Sequence, residues 1–445
     1  MGSDFSEVAG GAPQDLTAAI RRAVTVVVCL VALAVAAVGC SGGEQDGSKN
    51  RSSTTVSATS GSGDGSAGRA GGSGSDRSSG SEVQSFAPSD AGFYKVPRPI
   101  PGRHHGDLVR VQPIPGAPAG VRWQRIMYRS ETLRGTPTVV TGVLSLPDGA
   151  PPVGGWPLFA HAHGSTGMAD QCAPSVSLGG NGTYAVEIKL LSSWIPDRQI
   201  AVVSTDYEGL GGPGLHPMLV GKSEGRSVLD SILAARQVPG VAFADDVGII
   251  GYSQGGHAAA WANQIAAAWT PELHLAGVLA GAPATELLRM VATRDEGTEV
   301  ILAAALAATD PTLRLDDVLT TAGRRAVDQL DRTCQDTPLP TGELIRVDLT
   351  AVLPWARDIA ENTPGHVAGR APTLIVHSAE DLSVPVEGSA VFQDRLCDAG
   401  GVVERRVIPE GSHVVAAVTA YDQGISWILA LRAGAQPMST CPDLL

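Results

Sequence analysis

The sequence of 445 residues predicts an α/β protein with a doubly wound, mostly parallel sheet and a helical cap inserted into it. Three observations carry that expectation. Short runs of Val, Ile and Leu recur without polar alternation, as strands buried on both faces require. Helix-period stretches separate several of these runs, which is the pattern of strand-helix-strand units. One long stretch late in the chain, 285–363, contains no convincing strand at all.

In chain order, the expected strands are 138–146, 157–162, 200–205, 247–251, 275–280, 373–377 and 402–408. The expected helices among them are 223–236, 256–269 and a C-terminal one at 414–431. The Ala- and Leu-rich region 285–363 is broken by Pro311, Pro338 and Pro340 and is too long for a plain loop, so it reads as a helical insertion lying over the sheet. No internal repeat is present. Together these elements make 86–445 one catalytic-domain candidate with the cap inside it.

The first 85 residues read differently. An apolar run at 23–38, headed by Arg21 and Arg22, is too short to span a membrane comfortably and has the form of a signal-peptide core. Acidic Asp4, Glu7 and Asp15 are foreign to the basic head of such a peptide, so the expected start lies further in. Ala37-Val38-Gly39-Cys40 resembles a bacterial lipobox, with Ala37 where Leu is commoner, and makes Cys40 the expected lipidation site of a signal segment 1–40. The plainer alternative is ordinary cleavage beside Ala34 or Ala36. Cysteine parity favours the lipobox. Losing Cys29 and lipidating Cys40 leaves four of the six cysteines, an even set for two disulfides outside the cell, whereas ordinary cleavage leaves an odd thiol.

The region 41–85, dominated by Gly and Ser, has too few apolar residues to offset the entropy of ordering and is an expected linker. Export is therefore expected, with the protein either held on the outer face of the membrane by that lipid alone or secreted. A formal net charge of −13 and the absence of a basic cluster argue against nucleic acid as a partner.

Chemistry enters at Gly251-Tyr252-Ser253-Gln254-Gly255, which follows a strand pattern and precedes an Ala-rich helix. That context suits a nucleophile elbow of the α/β-hydrolase fold, where a serine sits on a strained strand-to-helix turn and close neighbours must be glycine. The alternative is a Gly-rich turn with an incidental serine. A serine hydroxyl needs a base, and the partners in this fold follow in the order serine, acid, histidine. His413 is the only histidine beyond Asp381, so the ordering rule selects it. For the acid, both Glu380 and Asp381 follow the strand 373–377; Asp381, four residues before Pro385, is preferred. Two amides should stabilise the developing oxyanion, each worth roughly 3 kcal/mol. One is expected from Gln254 and the other from Ser165, with Thr166 next, in the loop His163-Gly164-Ser165-Thr166-Gly167. No carboxylate or cysteine at suitable spacing completes a metal-ligand set with His161 and His163, and His163 is expected to shape the loop. Asp206 and Tyr207, at the end of another strand, could act in catalysis or buttress the site.

These motifs, with Thr205-Asp206-Tyr207-Glu208-Gly209-Leu210-Gly211 and Ser223-Glu224-Gly225-Arg226-Ser227-Val228-Leu229-Asp230, give a chain that resembles the secretory lipase family from about Tyr94 to Cys441. The resemblance implies a carboxylic ester hydrolase with a helical cap that acts on acylglycerols or related lipid-like esters without a cofactor or metal. It also implies disulfides Cys172–Cys334 and Cys397–Cys441, although four cysteines alone allow three pairings. Ile301, Leu302, Leu306, Leu353 and Trp355 either line an acyl pocket or form the cap's own core. Rival uses of the triad are amide or peptide cleavage and acyl transfer to a cell-envelope alcohol; a non-catalytic surface lipoprotein on the same scaffold is the rival outside enzymes.

Overall fold

A mostly parallel sheet of ten strands forms the centre of the protein, in the order β1-β2-β3-β4-β6-β5-β7-β8-β9-β10. The computed structural model describes residues 83–441 other than 294, 295 and 341. The expected signal segment, Cys40 and nearly all of the linker lie outside those residues. The strands are β1 (Gln84–Ser85), β2 (Leu108–Ile114), β3 (Val121–Glu131), β4 (Pro137–Pro147), β5 (Trp156–Ala162), β6 (Ala201–Thr205), β7 (Phe243–Tyr252), β8 (His274–Gly281), β9 (Thr373–Ser378) and β10 (Val403–Ile408). From β6 across to β10 every neighbour is parallel, while β2, β3 and β4 are antiparallel and β4 meets β6 antiparallel. This is the α/β-hydrolase fold. Gln84 and Ser85, which fall at the end of the expected linker, pair with Arg110 and Val111 and so belong to the sheet.

The apolar runs work as strands because successive residues feed opposite faces. In β5, Leu158, Ala160 and Ala162 join one core cluster while Phe159 joins the other; in β7, Val247 and Ile249 face one side and Ile250 and Tyr252 the other. Helices cover both faces. The Leu158 side packs on α3 (Gly221–Ala235) and α4 (Gln254–Trp269), and the Phe159 side on α2 (Val186–Arg198) and α11 (His413–Arg432). Helix α1 (Pro174–Leu178) precedes α2, and α10 (Glu387–Asp398) links β9 to β10. By length and apolar composition α11 would suffice to cross a membrane, yet Ala420, Tyr421, Ile425 and Ile428 are buried in the core.

Between β8 and β9 lie α5 (Leu287–Thr293), α6 (Glu296–Thr309), α7 (Leu315–Val318), α8 (Thr321–Leu330) and α9 (Leu353–Glu361), which make up the cap region. Leu302, Leu306 and Trp355 are buried within the cap's own cluster, Ile301 packs at its edge, and Leu353 is exposed. The same cluster takes in Met168, Met218 and Val220, so the cap is seated on the loops that follow β5 and β6. Disulfides join Cys172 to Cys334 and Cys397 to Cys441, with Cα separations of 5.5 and 5.6 Å.

Candidate active site

Strand β7 runs straight into α4 with no loop, and the junction is Ser253 at φ 60°, ψ −122°. Such a backbone is strained for a residue with a side chain and persists only where the surroundings impose it. Its amide donates to the Gly281 carbonyl at 2.9 Å, and its carbonyl accepts from His257 N at 3.1 Å. Glycine on either side is a steric requirement. A Cβ on Gly251 would fall 2.0 Å from the Gly255 carbonyl oxygen, and one on Gly255 would fall 1.9 Å from the Ala162 carbonyl oxygen.

Asp381 lies in the turn after β9 and is buried. Its Oδ1 accepts the amides of Ser383 and Val384 at 2.8 Å each, which fixes the carboxylate. Its Oδ2 accepts the Nδ1–H of His413 at 2.5 Å and stands 3.3 Å from His377 Nε2. Burial pushes the Asp381 carboxyl up, but the hydrogen bonds from His377, His413 and the Val384 amide outweigh it and hold the group well below the usual carboxylate range. His413 is the first residue of α11, and its ring lies 5.1 Å from that of Tyr252, the residue before Ser253. No hydrogen bond joins Ser253 Oγ to His413 among the described residues. Glu380, the alternative acid, is exposed; its Oε2 accepts the Gly411 amide at 2.9 Å, and so it grips the histidine loop without touching the ring.

The loop after β5 borders the elbow: a Cβ on Gly164 would come within 3.9 Å of Ser253 Cβ. Glu187 of α2 accepts the Gly164 amide at 3.2 Å, the His161 Nε2–H at 2.9 Å and the Tyr421 hydroxyl at 2.8 Å. Burial opposes ionisation of Glu187, but the His161 hydrogen bond, the nearby His161 and His163 rings and the Tyr421 hydroxyl together outweigh it, so the carboxyl sits below its ordinary range. With Gly164 committed in this way, the amides of Ser165 and Gln254 have no hydrogen-bond partner among the described residues. Tyr207, at φ 70°, donates its hydroxyl to the His163 carbonyl at 2.8 Å and so buttresses the same loop. Asp206 turns away from the elbow. It accepts the Ser175 amide at 2.9 Å and the Thr141 hydroxyl at 2.7 Å, and burial pushes its carboxyl up to about 6. His161 and His163 are likewise engaged, the latter donating Nδ1–H to the Gly164 carbonyl at 2.6 Å.

Sequence reasoning missed Glu187, and it singled out the stretch Ser223–Asp230 without giving its Glu224 a role. Glu224 is a fully buried carboxylate on α3 bonded to Gln254 and His257. The signal for Glu224 was available: an acid inside an otherwise buried helix face needs donors, and the Gln254 and His257 side chains stand three apart on one face of the next helix.

Residues 183–340 match the family model described as Secretory lipase. The chain is 26% identical over 350 residues to a probable inactive lipase of Mycobacterium tuberculosis, covering 72% of this chain and 77% of that one. It is 26% identical over 396 residues to Lipase 4 of Candida albicans, covering 80% and 83%. Among solved structures, Candida antarctica lipase A aligns with a TM-score of 0.67 at 20% identity over 76% of this chain and 84% of its own. A rice cell wall degrading esterase from Xanthomonas oryzae aligns with a TM-score of 0.60 at 21% identity over 75% and 98%. The solved structures share the fold; the family match and the lipase relatives support the secretory lipase family and an ester hydrolase.

Proposed function

We propose that the protein is a serine carboxylic ester hydrolase acting on acylglycerols or related lipid-like esters, with Ser253 as nucleophile, His413 as general base and Asp381 as the acid that orients it. The observation that carries this reading is the 2.5 Å bond from His413 Nδ1 to Asp381, held beside the Ser253 elbow. An imidazole with Nδ1–H tied to a carboxylate presents a free Nε2 lone pair, which is what a weak hydroxyl nucleophile needs.

Ser253 Oγ attacks the ester carbonyl as His413 Nε2 takes its proton. The negative charge forming on the carbonyl oxygen is met by the amides of Gln254 and Ser165. His413 then protonates the departing alkoxide, and a water deprotonated by the same nitrogen resolves the acyl-enzyme. The serine-histidine contact in substrate-free hydrolases is often long and tightens on binding. Leu382, Val414 and Val415, which flank Asp381 and His413, are exposed apolar side chains, and such a rim suits an apolar acyl substrate.

A second reading, a binding protein on a hydrolase scaffold, is favoured by the name of the Mycobacterium tuberculosis relative, a probable inactive lipase. Fluorophosphonate labelling and p-nitrophenyl esters of rising chain length, set beside aminoacyl amides, separate the readings. The hydrolase takes the label, prefers esters to amides and loses both label and turnover in Ser253→Ala. An unlabelled wild-type protein with no turnover would leave the scaffold reading standing.

A further inference from the structure

Building on that reading, we propose that Glu224 is a positioning residue for ester hydrolysis: through the Gln254 side chain and His257, its buried carboxylate fixes the first turn of α4 and thereby aims the Gln254 amide at the oxyanion. Glu224 itself touches neither the substrate nor the triad.

A carboxylate at zero exposure is costly to keep, and well-packed apolar residues at such positions are often as stable or more so. Packing α3 against α4 therefore does not by itself explain an acid here. What the carboxylate holds is specific. Its Oε1 accepts Gln254 Nε2 at 2.8 Å and the Leu219 amide at 2.9 Å, and its Oε2 accepts His257 Nδ1 at 2.8 Å. Gln254 and His257 are three apart, on one face of the turn that begins at the nucleophile. Burial opposes ionisation of Glu224, but the His257 hydrogen bond and the other donors outweigh it and keep the carboxyl below its ordinary range.

The orientation of the Gln254 amide is forced by its neighbours. His216 gives its Nδ1–H to the Glu208 carbonyl at 2.9 Å, and burial pushes its imidazole down to about 4, so the ring is neutral and its Nε2 is an acceptor. Gln254 Nε2 donates to that nitrogen at 2.8 Å as well as to Glu224, whereas Gln254 Oε1 is buried with no partner. Both hydrogen bonds of this side chain therefore anchor it. On the far side, His257 Nε2–H donates to the Asn362 carbonyl at 2.9 Å, immediately after α9 of the cap, and Asn362 Oδ1 accepts the Gly221 amide at 2.8 Å. A continuous polar line thus runs from the exit of the cap through His257 and Glu224 to Gln254. An amide that meets charge only in the transition state affects kcat far more than KM, so the tether should be read out in kcat.

Asp230 supplies the control. It is equally buried on the same helix, but its partners are His105, Ser130 and Trp269, none of which belongs to the site. The experiment measures ester kinetics, fluorophosphonate labelling and thermal melting on the full-length protein and its Ser253→Ala, Glu224→Met, Gln254→Met and Asp230→Asn variants; methionine at 224 keeps the length of the side chain and removes both acceptor oxygens. Glu224→Met and Gln254→Met are expected to lower kcat about 10- to 100-fold with KM within about twofold, while Asp230→Asn loses thermal stability but keeps kcat. A folded Glu224→Met or Gln254→Met enzyme turning over within about twofold of wild type overturns the inference, as does an Asp230→Asn enzyme whose kcat falls in step with theirs. If Glu224→Met does not fold, Gln254→Met, which keeps the backbone amide and removes only the tether, decides. Absence of Ser253-dependent hydrolysis in the wild type overturns the ester-hydrolase reading and the inference with it; normal wild-type turnover beside unaffected variants overturns the inference alone.

Discussion

Two neighbouring carboxylates show how little of a site is decided by residue type. Asp381 and Glu380 occupy one turn, but Asp381 points inward onto His413, whereas Glu380 is exposed and bonds the Gly411 amide of the histidine loop. Asp381→Asn should therefore lower kcat about 10³- to 10⁴-fold by releasing the His413 tautomer, while Glu380→Gln, whose amide oxygen can still accept from Gly411, stays within about tenfold of wild type. Ester kinetics on the two variants check this, and equal losses would reassign the acid. The same residue carries a pH signature. Although burial pushes the Asp381 carboxyl up, its hydrogen bonds depress it below the unfolded value of 3.8, so its contribution to stability is full above that value and is lost as pH falls through the folded one. The Tm deficit of Asp381→Asn against wild type should be full at neutral pH and shrink below about pH 4. In the sequence, the ordering of serine, acid and histidine left one histidine to choose but two acids, because spacing along a turn does not say which side chain faces in.

At the scale of elements, the parallel half of the sheet was legible because β5 to β9 are buried on both faces and read as unbroken apolar runs. Strands β2 and β3 were not recognised, since they form the antiparallel flank and carry polar residues such as Arg110, Gln112, Gln124 and Arg125 among the apolar ones. Helix α2 was also overlooked. Its buried Ile188, Leu191, Ser192 and Ile195 have helical spacing, but Pro196 in its last turn reads as a breaker. Helix α3 is fastened to the segment before β2 by His105, whose Nδ1 lies 2.7 Å from Asp230 Oδ1 and whose ring stacks 4.1 Å from Trp269. The Asp230 hydrogen bond raises the His105 imidazole above its ordinary value, against the opposing effect of burial. A raised folded value means that the stabilisation is complete below the unfolded 6.5 and is lost as pH rises through the folded one. His105→Phe should thus destabilise by about 1 to 3 kcal/mol at pH 6 and by less at pH 9. Chemical denaturation at the two pH values measures this, and a cost that grows with pH would contradict it.

For the whole molecule, the sheet and the cap insertion followed from the sequence, but the tethers that couple them did not. Glu187 and Glu224 act on residues in other elements, and such partnerships leave no periodic trace in the chain. The disulfides add covalent ties of very different reach. Cys172–Cys334 spans 162 residues and joins the loop after β5 to the cap, where Gln335 N also bonds the Thr166 carbonyl at 3.1 Å; Cys397–Cys441 spans only 44. Each should contribute about 2 to 5 kcal/mol, and restriction of the unfolded chain makes the longer loop worth ~1 kcal/mol more. The paired variant Cys172→Ala/Cys334→Ala should therefore melt below Cys397→Ala/Cys441→Ala. It should also lose kcat, because Thr166 is the neighbour of Ser165 and the cap segment at Cys334 and Gln335 that bonds it would no longer be held. The other pair ties Cys397 of α10 to Cys441 and packs against Phe392, Leu396 and Val403 rather than the loops that carry Ser165 and His413, so its removal should lower Tm while leaving turnover at the wild-type level. Calorimetry and ester kinetics on the two double variants test both halves, and equal kcat losses would show that the cap tether has no special hold on the site.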